Sequence, residues 1–122
     1  MLTFSALPER GEPVTGRYFE RYWLPIVGPS ALLMMRLLAD ELERTDPFTI
    51  AEVELARRLG IKASKARATI ARLVLLRLLV PGSPGHWAVR LNVRPLDERQ
   101  IGRLPSGLAA QHRELSRMLA AI

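Results

Sequence analysis

Residues 54–61 decide the fold, and they read Glu54-Leu55-Ala56-Arg57-Arg58-Leu59-Gly60-Ile61. Gly60 follows a helical pattern, and glycine readily adopts the left-handed conformation that ends a helix. Ala56 lies four residues before Gly60, where a small side chain lets two helices cross closely. Ile61 comes directly after the glycine and is placed to fill the space between the helices. The stretch therefore predicts a helix that ends at Gly60, a three-residue turn and a second helix.

The flanking residues contain start signals for both helices and predict a hairpin after them. Thr49-Ile50-Ala51-Glu52 has the form of a capping box, and Ser64 is suited to cap the second helix, which is expected to run to about Arg77. Phe48 is expected in a short strand or an extended lead-in. Two strands are predicted around the turn residues Pro81–Gly85, because large apolar residues alternate with Ala or Arg at Trp87, Val89 and Leu91.

This order of helices and strands resembles the winged helix-turn-helix family. The resemblance covers residues 32–91 and is carried by the Leu-Ala-x-x-Leu-Gly-Ile element that begins at Leu55, together with the hairpin. It implies a mainly α fold with a small β-hairpin, in which the winged helix-turn-helix is flanked by amino- and carboxyl-terminal helices. Residues 22–31 show a second, shorter resemblance, to the opening of winged-helix domains in bacterial replication-initiation and helicase-loading proteins.

The length of 122 residues predicts one domain. Residues 1–16 contain Pro8, Gly11, Pro13 and Gly16, which predict a flexible arm. The remainder, 17–122, is expected to be a single winged-helix domain. Within it we expect a helix-turn-helix at about 49–77, a wing at about 78–91 and carboxyl-terminal helices at 97–122. Pro29 is suited to the first turn of a long helix that ends before Pro47.

The distribution of charge indicates a polyanionic partner. The net charge is +6, and the stretch from Leu55 to Leu96 contains no acidic residue but nine basic ones: Arg57, Arg58, Lys62, Lys65, Arg67, Arg72, Arg77, Arg90 and Arg94. The nine other basic residues accompany all twelve acidic ones, so the rest of the chain has a net charge of −3. Such a block is the electrostatic pattern of nucleic-acid binding. The alternative is an ordinary solvated surface.

The helix that begins near Ser64 has two different faces when its residues are placed at about 100° intervals. Ala66, Ile70, Leu73 and Val74 are predicted to face the core, whereas Ser64, Lys65, Ala68, Ala71 and Arg72 face outward. The outward face suits a DNA major groove, because small side chains allow close approach and cations reach guanine edges or phosphates. Leu75 is also outward and is better suited to a protein partner. The predicted DNA contacts are Arg57, Arg58, Lys62, Ser64, Lys65, Arg67, Ala68, Arg72, Ser83, His86 and Arg90.

These features predict a sequence-specific or semi-specific protein that binds double-stranded DNA. A transcription regulator or a chromosome-associated factor is the expected class. About five or six neutralised phosphates would give a log–log salt slope of roughly −4 to −6. The alternative function is a winged-helix module for protein interaction or replication, which the aromatic helix near Tyr18 and the outward Leu75 favour.

The carboxyl-terminal helix carries an apolar stripe that favours a homodimer. Leu108, His112, Leu115, Leu119 and Ile122 recur at spacings of four, three, four and three, which places them on one face. Tyr18 and Tyr22 of the aromatic helix are expected to join this interface, and the same helix is a possible contact for a protein partner. The alternative is that the stripe packs on its own domain.

Several classes of function are expected to be absent. The chain has no Cys, which excludes disulfides and Cys-ligated metals, and its two His are far apart in sequence, so no metal site or cofactor is predicted. No nucleotide-binding or Gly-x-Ser-x-Gly motif occurs, so no enzyme is predicted. No signal peptide or membrane span is predicted either, and we expect a cytoplasmic, nucleoid-associated protein.

Overall fold

The computed structural model describes residues 1–121, and its centre is a four-stranded mixed sheet in the strand order β3-β1-β5-β4. A second, two-stranded sheet pairs β2 with β6. The strands are β1 (Leu2–Leu7), β2 (Glu12–Pro13), β3 (Phe48–Ile50), β4 (Leu79–Pro81), β5 (His86–Arg90) and β6 (Asn92–Val93). The helices are a π-helical segment (Phe19–Trp23), α1 (Leu24–Val27), α2 (Pro29–Arg44), α3 (Glu52–Leu59), α4 (Ala63–Leu75), α5 (Glu98–Ile101) and α6 (Ser106–Ala120).

The sheet makes this an α/β fold, so the expected mainly α fold with a small hairpin is wrong. Strand β1 lies inside the sheet, parallel to β5 and antiparallel to β3. Phe4 at its centre is fully buried and stacks on Trp87 of β5, with ring centroids 5.5 Å apart. The hairpin expected from the sequence is present as β4 and β5, but β1 and β3 extend it to four strands.

The flexible arm predicted for residues 1–16 is also wrong. Its first half is β1, and its second half pairs with the chain after the hairpin through β2 and β6. The buried Val14 donates its backbone N–H to the Leu91 carbonyl at 2.9 Å. The prolines and glycines that suggested an arm all come after β1: Pro8, Gly11 and Gly16 lie between ordered segments, and Pro13 lies in β2 itself.

The helix-turn-helix is present as predicted in its core and turn, but its caps differ. Gly60 ends α3 in the left-handed conformation with φ 70°, and the fully buried Ala66 and Leu73 confirm the core face of α4. Thr49 does not cap α3, because it lies in β3 and its hydroxyl meets that of Thr3 at 3.2 Å. Ser64 does not cap α4 either, because the helix has already begun at Ala63.

The predicted helices outside this motif are found with small differences. Helix α2 lies at Pro29–Arg44 as expected, and Phe48 begins a short strand. The aromatic segment before Pro25 forms a π-helix that changes to α1 where Pro25 removes a backbone donor. Asp97 and Gln100 form the capping box of α5. Helix α6 then packs its buried face against the aromatic segment.

Candidate nucleic-acid interface

Helix α4 presents the outward face that the sequence predicted. Its exposed side chains are Ser64, Lys65, Arg67, Ala68, Ala71, Arg72 and Leu75. Leu75 is the most exposed of the larger apolar residues on the helix, at 83%. The β4–β5 hairpin runs beside this helix, because Pro81 and Trp87 line one groove with Ala71 and Leu75. Helix and hairpin therefore form one continuous surface.

Arg72, which the sequence predicted as a contact to guanine edges or phosphates, makes hydrogen bonds within the protein. Its Nε donates to the Val27 carbonyl at 3.1 Å, and its Nη2 donates to the Ile26 carbonyl at 2.5 Å. Those carbonyls end α1, where the helix dipole is negative and favours a cation. Arg72 therefore joins α4 to α1, and it would have to break both bonds to reach a base edge.

Three other arginines of the predicted DNA surface are paired with carboxylates. Arg58 pairs with Glu41 at 2.8 Å and Arg67 with Glu52 at 3.1 Å. Arg90 pairs with Glu9, and its Nε also donates to the Arg77 carbonyl at 2.6 Å. All three carboxylates come from outside residues 55–96. Residues 55–96 therefore contain no carboxylate of their own, but in the folded protein carboxylates from other segments neutralise part of their positive charge.

Three cations of the predicted surface are exposed and free. Within residues 1–121, Arg57, Lys62 and Lys65 form no salt bridge. Lys62 and Lys65 flank the first turn of α4, which begins at Ala63 and has no side-chain cap. Its backbone N–H groups are therefore also free to meet an anion. Two of these three free cations thus lie at the start of α4, and the third, Arg57, lies on α3.

The hairpin tip carries the two remaining predicted contacts. Ser83 and His86 are exposed, and the turn is closed by the Gly82 N–H donating to the His86 carbonyl and the His86 N–H donating to that of Ser83, both at 2.9 Å. The tip is therefore small and ordered by its own backbone. Such a tip is able to lie along a phosphate backbone without a large change in shape.

Two grooves flank the outward face of α4, and they differ in chemistry. One, of about 390 Å³, lies between Lys65, Ala68 and Thr69 and the start of α2. The other, of about 630 Å³, is mostly apolar and is lined by Leu2, Ile70, Ala71, Val74, Leu75, Pro81 and Trp87, with the Glu52–Arg67 pair also at the wall. This apolar groove was not predicted from the sequence, because one of its lining residues, Leu2, comes from β1, which is distant from α4 along the chain. The outward position of Leu75 was the one sequence feature that indicated an apolar contact surface here.

Three of the seven residues predicted for a dimer interface contact one another inside the monomer. His112 is only 2% exposed and its Nε2 lies 2.6 Å from the Tyr18 hydroxyl, while Tyr22 is buried beside it. The Tyr18 hydroxyl also accepts the Leu96 N–H at 2.9 Å. Tyr18, Tyr22 and His112 therefore hold α6 on its own domain, which is the alternative that the sequence left open for this stripe.

The burial of the remaining residues of the predicted dimer stripe does not test whether the protein is a homodimer. Leu108 and Leu115 are half-buried, and Leu119 is exposed. Ile122 lies outside the described residues.

Burial lowers the pKa of His112 and raises that of Tyr18, in keeping with their place between α6 and the aromatic segment.

Comparison with protein-family models, with curated proteins and with solved structures finds no match for this chain. Within residues 1–121, no helix has both the length and the apolar character that a membrane crossing requires. Over the same residues, no group of three or more His, Cys, Asp or Glu side chains is placed to hold a metal ion.

Proposed function

We propose that this protein binds double-stranded DNA through the amino-terminal half of α4 and the tip of the β4–β5 hairpin. The observation that supports this most is the group of free cations, Arg57, Lys62 and Lys65, beside an outward face of small side chains. The helix-turn-helix and hairpin of residues 52–90 support the resemblance to winged helix-turn-helix proteins for that segment. Transcription regulation or chromosome association is the proposed setting.

The contacts divide by the chemistry of each side chain. Lys62, Lys65 and the free N–H groups of the first turn of α4 suit phosphate oxygens. Ser64 is also suited to a phosphate, or to a base edge. Ala68 and Ala71 let the helix backbone approach base pairs, and alanine methyl groups pack against thymine methyls. Ser83 and His86 at the hairpin tip then lie against the sugar-phosphate backbone.

The salt dependence of binding tests this proposal. Three free cations predict a log–log slope of about −3 in an electrophoretic shift with mixed-sequence duplex, because each neutralised phosphate contributes about −0.9. That slope is shallower than the sequence alone suggested, since Arg58, Arg67, Arg72 and Arg90 are held by other groups. Lys62→Ala and Lys65→Ala should each reduce the slope by about one.

Arg103→Ala is the matched control, because Arg103 is exposed and lies outside the proposed surface. It removes the same net charge and should leave the slope nearly unchanged. Absence of duplex binding at low salt, or equal losses in Arg103→Ala and Lys65→Ala, would contradict a specific role for α4.

The apolar groove favours a second candidate function, namely protein interaction. DNA does not need a groove with the apolar wall of Ile70, Val74 and Trp87, whereas an amphipathic helix would fill it. Leu75→Lys separates the two candidates. It adds a cation beside the DNA surface and should preserve or strengthen duplex binding, but it would prevent an apolar partner from docking.

A further inference from the structure

A third cavity, of about 450 Å³, lies at the opposite end of the hairpin from its tip. Its walls come from the end of α4, from the chain around β6, from α5 and from the aromatic segment. Trp23, Leu76 and Pro95 contribute apolar surface, and Arg77 and Arg94 contribute cations. The volume is in the range of small-molecule sites.

Arg77 occupies a backbone position where glycine would be expected. It follows α4 with φ 61°, and the Leu78 N–H donates to the Leu73 carbonyl at 2.9 Å, which is the hydrogen-bond pattern that usually has glycine at this position. A side chain there raises the energy of the backbone. Its guanidinium forms no hydrogen bond or salt bridge within residues 1–121. Arg77 is therefore an unpaired cation at this wall, on a backbone conformation that residues other than glycine adopt uncommonly.

Arg94 is the second unpaired cation of the cavity. It is exposed and forms no salt bridge among the described residues 1–121. The two carboxylates at the wall are occupied by other groups. Glu9 pairs with Arg90, and Asp97 accepts the Gln100 N–H at 2.8 Å. Two guanidiniums without counter-ions thus line one cavity.

Trp23 adds a third observation. The ring lies at the wall and is 7% exposed, and its Nε1 has no hydrogen-bond partner within the part of the chain that the structure describes. A buried donor without an acceptor is uncommon in folded proteins. Trp23 therefore contributes both an apolar wall of the cavity and an indole donor that no group of the described residues satisfies.

We propose that this cavity binds a small organic anion, a carboxylate or a phosphate monoester, with Arg77 and Arg94 as the ligands of its charged group. Guanidinium groups match the planar geometry of these anions and bind them through paired hydrogen bonds. Trp23 and Leu76 then contact the carbon part of the molecule. The inference is independent of DNA binding, because Arg90 is the one residue predicted as a DNA contact that lines this cavity, and it is paired with Glu9.

Fluorescence of Trp23 tests the proposal directly. The chain has two tryptophans, so Trp87→Phe leaves Trp23 as the single reporter. Inorganic phosphate, glycerol 3-phosphate and succinate are titrated separately at constant ionic strength against chloride. We expect a saturable change with at least one of the three anions and none with chloride.

Variants of the two arginines assign the signal to the cavity. Arg77→Gly and Arg94→Gln should each weaken binding by roughly tenfold or more, because each removes a charge-assisted hydrogen bond. Arg77→Gly should fold at least as well as its parent in a denaturant titration, since glycine suits the left-handed backbone. Arg103→Gln, an exposed arginine outside the cavity, should bind the anion like its parent.

Three results would overturn the proposal. The first is the lack of a saturable change with all three anions. The second is an equal loss in Arg103→Gln, which would mean that only general screening was observed. The third is a change that a short DNA duplex produces and the small anions do not, which would assign the arginines to a nucleic-acid backbone.

Discussion

Both halves of α4 carry basic residues, but these residues have different roles in the structure. At the amino-terminal half, Lys62 and Lys65 are exposed and form no salt bridge within residues 1–121. At the carboxyl-terminal half, Arg72 is bonded to two carbonyls of α1 and Leu73 is fully buried. Basic residues on one helix face can therefore serve the fold at one end and be available to a partner at the other. The fold uses one half for its own stability and leaves the other half available for a partner.

Two neighbouring leucines give the largest test of this contrast. Leu73→Ala should lower the free energy of unfolding by about 2–5 kcal/mol, because it leaves a cavity in the core beneath α4. Leu75→Ala, two residues away on the exposed side, should change it by less than about 0.5 kcal/mol. Chemical denaturation followed by circular dichroism measures both. Equal losses would mean that Leu75 is covered in solution by another surface.

Arg72 and Lys65 provide a smaller test, because both are basic and lie two turns apart on one helix. Arg72→Ala should cost about 1–2 kcal/mol of stability, since the Ile26 and Val27 carbonyls lose a charged donor. Lys65→Ala should leave stability within about 0.5 kcal/mol and should weaken duplex binding instead.

The test combines denaturation with the electrophoretic shift for both variants. Each variant serves as the control for the other, since both remove one positive charge from α4. A Lys65→Ala protein with normal DNA affinity, or an Arg72→Ala protein with normal stability, would contradict the division of α4 into two halves.

Local signals in the sequence predicted the centre of the molecule correctly. Gly60, the core face of α4 and the turn before His86 are all decided by residues within a few positions of one another. Leu75 was likewise predicted to be outward from helical periodicity alone, and its exposure confirms this. Such features depend on backbone preference and on side-chain spacing, which a single sequence displays directly.

Long-range pairings were not predictable in the same way. Strand β1 pairs with β5 more than eighty residues later, for example Thr3 with His86, and nothing near β1 in the sequence indicates that partner. The neutralisation of Arg58 by Glu41 and of Arg90 by Glu9 also joins distant parts of the chain. Charge counted along a sequence therefore overestimates the charge that a folded surface presents.

The seam between α6 and the aromatic segment gives the smallest test, and it depends on pH. The Tyr18 hydroxyl accepts the Leu96 N–H, so its own hydrogen is free to be donated to His112 Nε2, which requires a neutral imidazole. Burial lowers the pKa of His112 below the ordinary histidine value near 6.5. The folded chain therefore binds fewer protons than the unfolded chain as the pH falls below that value.

It follows that His112 lowers stability in mild acid. The loss should begin near the ordinary pKa of 6.5 and continue until the pH reaches the lowered pKa of the folded state. One proton limits it to about 1.4 kcal/mol for each pH unit. Denaturant titrations between about pH 7.5 and pH 5.5 should show a stability loss that His112→Gln reduces. His86→Gln, which changes the exposed histidine, should keep the loss of the parent protein, and an unchanged pH dependence in His112→Gln would place the titrating group elsewhere in the molecule.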